Sequence, residues 1–344
     1  MGTPETRARA SSKPSASHAH RFEALLLQPY PTPHREPLFR ELDRLSDGSL
    51  RICFLAERSQ RRPWLKPVTE RPYEALFLSR DSLESRNWRV GIRRAISILR
   101  ETRPQVLISG YEHPEYWGAQ VWARAHGLRT ICWLGTTGDE GAPWVKESLR
   151  SLLLRRFDHL ILYSNLSRVY LTRVGLPDGR LRVVPNATEA TAFRLSREAY
   201  TERRIVMREH LGIPRGAFVV ISAGRLAPEK NLGVVLGGFA QARIQTPEAI
   251  RSRLRLVIVG SGPCASSLHQ EGLRLGLRDV LLWHDGVPQD RLPDFLAAAD
   301  LFVLMSTWEP WGIVANEAAA MGLPLIISER CGAARHLFPG VLAD

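Results

Sequence analysis

The chain has 344 residues, of which 44 % are hydrophobic and 24 % are charged, so it is long enough for two globular domains and does not have the composition of a coiled coil or a disordered protein. Lys and Arg outnumber Asp and Glu by 47 to 35, and the resulting net charge of +12 favours anionic partners such as nucleotides, anionic lipid or nucleic acid. No apolar run reaches the roughly 18 residues that a membrane-spanning helix requires.

The first half of the chain alternates between predicted strands and helices. Residues 1–20 are small, polar and basic, which predicts a disordered tail; they lack the apolar segment of a secretory signal, so we expect a cytoplasmic protein. From Phe22 onward, short apolar runs predict strands at 22–28, 51–56, 73–79, 106–109, 129–134, 159–164 and 181–185. Amphipathic stretches between them predict helices at 36–45, 85–102, 115–126, 143–157 and 165–174.

The alternation pauses at a charged stretch, 194–210, and then resumes. Further strands are predicted at 217–224, 253–262, 279–286, 299–306 and 323–328. Such alternation implies crossover connections and mainly parallel sheets. We therefore predict an α/β protein with a first Rossmann-like domain at 21–195, a linker at 196–212 and a second domain at 213–344. A ligand site is expected in the cleft between the domains, beyond the carboxyl ends of the strands.

Two cations follow the predicted strand at 217–224. Gly224 permits a tight exit from this strand, and Arg225 and Lys230 then precede a predicted helix. Positive side chains at a helix N-terminus are suited to bind phosphate. The alternative is that both are solvated surface charges, and these residues alone do not decide between the two.

Two carboxylates flank another predicted helix start. Glu309 lies in a loop with Pro310 and Gly312, and Glu317 lies in the helix that opens near Gly312. The unpaired amides at this helix start are suited to an oxyanion, whereas the carboxylates are suited to sugar hydroxyls. The alternative is that both acids only stabilise the N-terminal half of the helix.

Four ordered motifs together identify a family. The segments 224–231 (GRLAPEKN), 257–263 (VIVGSGP), 298–328 and 331–337 (CGAARHL) resemble the retaining GT-B glycosyltransferases of family 4, also known as glycosyl transferases group 1. The E-x7-E motif of that family runs here from Glu309 to Glu317. The first half, with LLLQPYPTPHREPLFREL and LRVVPNATE, is also similar to one branch of the family, so the resemblance covers residues 22–340.

The resemblance implies a role for each motif residue. Arg225 and Lys230 would bind the donor diphosphate and neutralise it as it leaves, Glu309 would contact hydroxyls of the donor sugar, and Glu317 would hold the ribose hydroxyls. The amides of Gly312, Ile313 and Val314 would meet the distal phosphate. Donor-binding turns would be shaped by Gly224, Gly260 and Gly262, and the segment 283–287 would face the base.

The family's chemistry implies neither a cofactor nor a metal. The sequence has no D-x-D triplet and no cluster with metal-ligand spacing. We expect a nucleotide diphosphate sugar as donor and a saccharide, lipid-linked or small-molecule acceptor whose hydroxyl attacks with retention of configuration. The residues do not specify the nucleotide, the sugar or the acceptor.

The chain departs from the family pattern at three places. The loop at 29–36 is proline-rich and basic instead of glycine-rich, and its Arg35 is a candidate phosphate or acceptor contact. A histidine expected after the strand at 129–134 is missing, and we expect His113, in a nearby loop, to take part in catalysis. The chain ends at Asp344, before the last strand and helices of the family, and so resembles a truncated member.

Three alternatives accompany this interpretation. A truncated chain would be a catalytically inactive protein that binds sugar nucleotides. An NAD-dependent oxidoreductase would require a G-x-G-x-x-G motif after a first strand, and the segment at 260–266 (GSGPCAS) lacks the third glycine. The basic amphipathic helices at 87–103 and 146–156 also allow contact with an anionic membrane surface at its inner face, although ordinary helices with a solvated basic face are the favoured explanation. No nucleic-acid-binding motif accompanies the charge.

Overall fold

The fold consists of two parallel sheets with helices packed against them. The computed structural model describes residues 23–61, 71, 73–138, 144–189, 191 and 193–338, so the predicted tail lies outside the described residues. One sheet has seven strands and the other has five, and every neighbouring pair is parallel. The predicted α/β architecture of two Rossmann-like domains is therefore confirmed.

The seven-stranded sheet belongs to the first domain. Its strands are β1 (Ala24–Gln28), β2 (Leu50–Phe54), β3 (Ala75–Phe77), β4 (Val106–Ser109), β5 (Arg129–Leu134), β6 (His159–Leu162) and β7 (Leu181–Val183). Their order is β3-β2-β1-β4-β5-β6-β7, so β1 has neighbours on both sides, and Leu26 pairs with Ile52 on one side and with Ile108 on the other. This interior strand, with Leu25 to Leu27 buried, is the point at which the strand order reverses.

The helices of the first domain are α1 (Glu36–Leu45), α2 (Trp88–Thr102), α3 (Pro114–Ala125), α4 (Trp144–Leu154) and α5 (Asn165–Arg173). Helix α2 begins three residues later than predicted because the Asn87 side chain accepts hydrogen bonds from the amides of Arg89 and Val90. It ends at Thr102, and Arg103 after it has the left-handed conformation typical of a helix C-terminus.

The segment expected to be a linker contains a helix of the second domain. Helix α6 (Arg197–His210) is capped by Ser196, and its Met207 is buried in that domain's core. Arg204 and Arg208 donate to the carboxylate of Asp300 at 2.6 and 2.7 Å, and Asp300 also accepts from the Val219 amide at 2.8 Å. Two of the charges in the stretch that was predicted to be a linker thus attach α6 to the sheet.

The five-stranded sheet has strands β8 (Phe218–Ala223), β9 (Leu254–Val259), β10 (Leu281–His284), β11 (Leu301–Leu304) and β12 (Leu325–Ile327), in the order β10-β9-β8-β11-β12. Its remaining helices are α7 (Leu232–Gln245), α8 (Glu248–Arg251), α9 (Ala265–Arg274), α10 (Leu292–Ala298), α11 (Ile313–Ala320) and α12 (Ala334–Leu337). Separate buried clusters cover the two faces of this sheet. The strand order of this sheet reverses at β8, as that of the first sheet reverses at β1.

The two domains contact each other near the carboxyl ends of their strands. A Cβ atom built on Gly135, which follows β5, would lie 2.5 Å from the Tyr163 ring and 3.0 Å from Cβ of Pro310. Asn316 of α11 donates to the Asn186 carbonyl at 3.3 Å. Among the residues the structure describes, no helix is long and apolar enough to cross a bilayer.

Candidate functional site

A pocket of about 230 Å³ lies at the carboxyl ends of β8 and β9. This is the position where open parallel sheets bind ligands. The pocket brings together most of the predicted site residues, and it is lined by His34, Ala223, Gly224, Arg225, Lys230, Val259, Gly260, Gly286, Val287, Gln289, Leu292, Glu309, Gly312, Ile313, Val314 and Glu317.

The two predicted cations lie in the loop after β8, and each is paired with a carboxylate. Gly224 has φ +146°, which turns the chain out of the strand. Arg225 donates to Glu229 at 3.2 Å. Lys230 donates to Glu309, which lies in the loop after β11. Anionic phosphate oxygens can replace these carboxylates as acceptors, so the cations are positioned to bind a diphosphate.

The loop that carries Glu309 is held by backbone hydrogen bonds on both sides. The Thr307 amide donates to the Glu229 carbonyl at 2.9 Å, and the Glu309 amide donates to the Arg330 carbonyl at 3.1 Å. Gly312 then has φ +88°, and a Cβ atom there would lie 2.6 Å from the sulfur of Cys331. Only glycine fits this turn, and Ile313 and Val314, the first residues of α11, line the pocket directly after it.

Glu317 is buried in the pocket wall, where its side chain is 3 % exposed. Gln289 donates from Nε2 to Oε1 of Glu317 at 2.7 Å. Burial raises the pKa of the Glu317 carboxyl to about 7, and the hydrogen bond from Gln289 opposes the rise. Because Glu317 lines the pocket, a ligand hydroxyl can donate a further hydrogen bond to its ionised form.

The two predicted glycines after β9 have different surroundings. A Cβ atom on Gly260 would lie 1.8 Å from the Gly224 carbonyl, and one on Gly262 would lie 2.3 Å from the Leu226 carbonyl. Both glycines are required where this loop crosses the loop after β8. Gly260 also lines the pocket, whereas Gly262 does not, so Gly262 packs behind the site instead of facing a ligand.

Only the end of the segment 283–287 faces the pocket. Gly286 and Val287 line it, while Trp283 lies 4.1 Å from the His269 ring and His284 lies 4.6 Å from the Phe295 ring. Gln289, just beyond this segment, was missed by the sequence reasoning. The available signal was its position in the turn that opens α10.

His113, predicted to be catalytic, does not line the pocket. It precedes α3, with its ring 5.5 Å from the Tyr116 ring. Burial, with a further contribution from the positive charge of Arg86, lowers the pKa of His113 to about 4, so the imidazole is neutral near pH 7. Its charged neighbours belong to the first domain, and the structure gives no contact between His113 and the donor-side residues.

His34 is the residue of the first domain that lines the pocket, and sequence reasoning passed over it in favour of Arg35. Arg35 instead donates hydrogen bonds to the Gln28 side chain and to the Tyr163 hydroxyl. Its guanidinium lies 5.5 and 5.6 Å from the ring centres of Trp133 and Tyr163. The position of His34, in the loop after the first strand β1, was the signal that could have identified it.

Within the described ranges, no three His, Cys, Asp or Glu side chains form a group that could hold a metal ion.

Two models of glycosyltransferase families match the chain, one in each domain. The model of the family described as "Glycosyl transferases group 1" matches residues 204–341, and that of "Glycosyltransferase Family 4" matches residues 51–191. The D-inositol 3-phosphate glycosyltransferase of Acidothermus cellulolyticus is 34 % identical over 178 residues, which are 49 % of this chain and 38 % of that protein. D-inositol 3-phosphate glycosyltransferase 2 of Catenulispora acidiphila is 30 % identical over 239 residues, or 67 % of this chain and 54 % of that protein.

The chain therefore spans about half or less of the length of these curated relatives. Among solved structures, Anabaena Alr3699/HepE in complex with UDP and glucose superimposes with a TM-score of 0.71 at 19 % identity, covering 92 % of this chain and 83 % of that one. This likeness shows that the two proteins share a fold.

Proposed function

The chain belongs to the group 1 glycosyltransferases of the GT-B fold, and on that premise we propose that it transfers a sugar from a nucleotide diphosphate sugar to an acceptor hydroxyl. The observation that carries this proposal is the pocket itself. Two cations, the first amides of α11 and two carboxylates line one cavity between the domains. A diphosphate needs the first two groups, and sugar hydroxyls need the third.

Different residues of the pocket would bind different parts of the donor. Glu317 and Gln289 would hold the ribose, Arg225 and Lys230 the diphosphate, and the amides after Gly312 the distal phosphate. Lys230 would exchange Glu309 for a phosphate oxygen, which leaves Glu309 to accept hydrogen bonds from the donor sugar. The exchange conserves an ion pair for Lys230, so donor binding does not leave its charge unpaired.

We propose that transfer proceeds with retention of configuration and without a metal ion. The acceptor hydroxyl would attack the anomeric carbon from the face on which the bond to the diphosphate oxygen breaks, and that oxygen would take the hydroxyl proton. Arg225 and Lys230 would stabilise the negative charge that develops on the diphosphate. These two positive charges provide the support for a mechanism that needs no cation from solution.

The donor and acceptor to test first come from the similar proteins. Anabaena Alr3699/HepE was crystallised with UDP and glucose, and the similar curated proteins are named for D-inositol 3-phosphate. We therefore propose a UDP-sugar as donor and an inositol phosphate as the first acceptor.

Calorimetry with UDP, GDP, ADP and their glucose conjugates tests donor binding by the 344-residue protein. We expect a UDP-sugar to bind and Glu309→Gln to abolish transfer to D-inositol 3-phosphate, while Glu329→Gln, an exposed acid beyond β12, retains it. NMR of the product's anomeric proton tests retention, and assays with a chelator test metal independence. Binding without transfer to any of the three acceptor classes would favour the inactive binding protein, and no binding by folded protein would reject the proposal.

A contact with anionic membrane is proposed for the groove between α2 and α3. Its apolar lining includes Trp88, Trp117 and Trp122, and the side chains of Arg89 and Arg93 beside it are exposed. Aromatic groups beside arginines are typical of a surface that binds the interface of an anionic bilayer. The other basic helix, α4, exposes Leu149 and Leu152 but buries Arg150 against Thr136, so it offers fewer charges than its sequence suggests.

Sedimentation with vesicles tests this contact. We expect binding to vesicles that contain phosphatidylglycerol and not to phosphatidylcholine alone, with loss at high salt. Arg93→Glu should weaken it, whereas the same charge change at the exposed Arg278 of the second domain should not. Equal effects of both variants would show that only net charge matters and would reject the groove.

A further inference from the structure

We propose that His34 contacts the sugar-diphosphate part of the donor and that Arg35, held by Tyr163, is the residue that positions it. This inference rests on the proposed donor site and adds to it a contribution from the first domain. Of the described residues that line the pocket, His34 alone comes from that domain. A donor bound between the domains would therefore meet His34 opposite the cations of the second domain.

The loop that carries His34 is fixed by its neighbour. Residues Pro33–Arg35 form a single helical turn directly before α1. The Arg35 guanidinium donates to Gln28 at the end of β1 and to Tyr163 after β6, and it lies against the rings of Trp133 and Tyr163. A charged side chain held by two acceptors and two aromatic faces has little freedom. The turn, and with it the His34 backbone, is consequently held in one place.

Tyr163 links this turn to the loop that carries Glu309. Its ring and Pro310 both lie against Gly135, and it packs on the second domain's core, which contains Trp311. A continuous series of contacts therefore runs from the Glu309 loop through Tyr163 and Arg35 to His34. Because this series joins the turn that carries His34 to the Glu309 loop, we assign His34 to the sugar and diphosphate and not to the ribose that Glu317 would hold.

Imidazole is suited to this position because it can donate a hydrogen bond to a phosphate or sugar oxygen. The two cations of the pocket are already paired with carboxylates of the protein. Arg225 is paired with Glu229 and Lys230 with Glu309, so the two cations are balanced before the donor arrives. An added diphosphate brings further negative charge that a third donor from the opposite domain would share.

Three nucleotides and three variants test the inference. We expect His34→Ala to weaken UDP-glucose binding about tenfold, as the loss of one charge-assisted hydrogen bond does, and to leave UMP binding unchanged. Tyr163→Phe keeps the ring packing and removes only the hydroxyl that holds Arg35. It should weaken UDP-glucose binding about threefold and have no further effect when His34 is already alanine. His159→Ala, an exposed histidine at the start of β6, is the matched control and should change neither affinity.

The outcomes separate this inference from the proposed function. If the wild-type protein binds none of UMP, UDP and UDP-glucose, the donor site itself is refuted. If it binds UDP-glucose and His34→Ala binds it as well, or loses UMP and UDP-glucose equally, the contact with the sugar-diphosphate is refuted. If Tyr163→Phe adds its full effect to that of His34→Ala, Arg35 does not act through His34. Thermal unfolding of each variant identifies any loss of affinity that comes from lost folding.

Discussion

Gln289 donates a hydrogen bond of 2.7 Å to Glu317, and this pair forms the end of the pocket that we assign to the ribose. Glu317 is 3 % exposed and its hydrogen-bond partner, the Gln289 amide, is uncharged, so burial raises the pKa of the carboxyl to about 7. A buried acid without a cation is costly to ionise. Its position in the pocket suggests that this cost is offset when a ligand donates hydrogen bonds to it.

Nucleotide affinity should therefore depend on pH. Above its pKa of about 7, Glu317 is an ionised acceptor for the ribose hydroxyls, and below that value it is protonated and accepts less strongly. We expect the UDP affinity to fall as the pH decreases from about 8 to about 6. Calorimetry across this range measures the change. In Glu317→Gln the same trend should be absent, and its persistence there would assign the titration to another group.

Glu317→Gln should stabilise the ligand-free protein at about pH 8. The pKa of the carboxyl is about 7 in the fold against an ordinary value of 4.5, so the folded state binds more protons between these values and loses stability as the pH rises through them. The introduced amide still accepts from Gln289 and carries no charge. The expected gain is about 1–3 kcal/mol at pH 8 and close to zero at about pH 4, measured by urea unfolding. An equal gain at both values would contradict the electrostatic origin.

Arg225→Ala and Lys230→Ala should each weaken UDP binding by about 1.5–3 kcal/mol, because each removes a charge-assisted contact to the diphosphate. Uridine, which has no phosphate, should lose much less affinity. Lys230→Ala also leaves the Glu309 carboxylate without its partner. Affinity for UDP that is unchanged in both variants would show that the diphosphate lies elsewhere.

Gly260→Ala should disrupt the pocket. The new methyl group would lie 1.8 Å from the Gly224 carbonyl, so one of the two crossing loops must move. We expect a loss of about 2 kcal/mol or more in unfolding free energy, together with weaker nucleotide binding. Gly238→Ala in α7 meets nothing within 4 Å and should instead stabilise the helix by about 0.5–1 kcal/mol. A neutral effect of Gly260→Ala would mean that the loops do not cross this closely.

Asp300→Asn tests the attachment of α6. The change removes the charge that Arg204 and Arg208 share, and we expect a loss of about 1–3 kcal/mol in thermal or urea unfolding. Asp178→Asn is the matched control, because its ion pair with Arg168 is exposed to solvent and its removal should change the unfolding free energy much less. Similar losses in both would indicate that α6 is held by its apolar side and not by Asp300.

The sequence predicted much of the fold because periodicity reports local structure. Apolar runs located the strands, and Arg225, Lys230, Glu309 and Glu317 all line one pocket, as their motifs indicated. The stretch at 196–212 was predicted to be a linker, whereas most of it forms helix α6 of the second domain. Its arginines are attached to Asp300, which lies about ninety positions away in the chain, and such a contact leaves no periodic signal.

Side-chain direction decides which residues of the first domain face the pocket. His113 and His34 are both loop histidines of the first domain, yet only His34 faces the pocket. Which of them does so depends on how the domains pack and on the hydrogen bonds that Arg35 donates to Gln28 and Tyr163. Gln289 likewise acquires its role only because α10 and α11 are adjacent in the fold.

By itself, the sequence determined the alternation of strands and helices, the family and the residue types needed for a diphosphate and for sugar hydroxyls. Only the tertiary structure decided that Lys230 is paired with Glu309, 79 positions along the chain, that Glu317 is buried enough to have a pKa near 7, and that His34 completes the pocket. The reason is physical. Charge pairing, desolvation and convergence across a cleft depend on distances between residues that are remote in sequence, whereas motifs and periodicity record only neighbours along the chain.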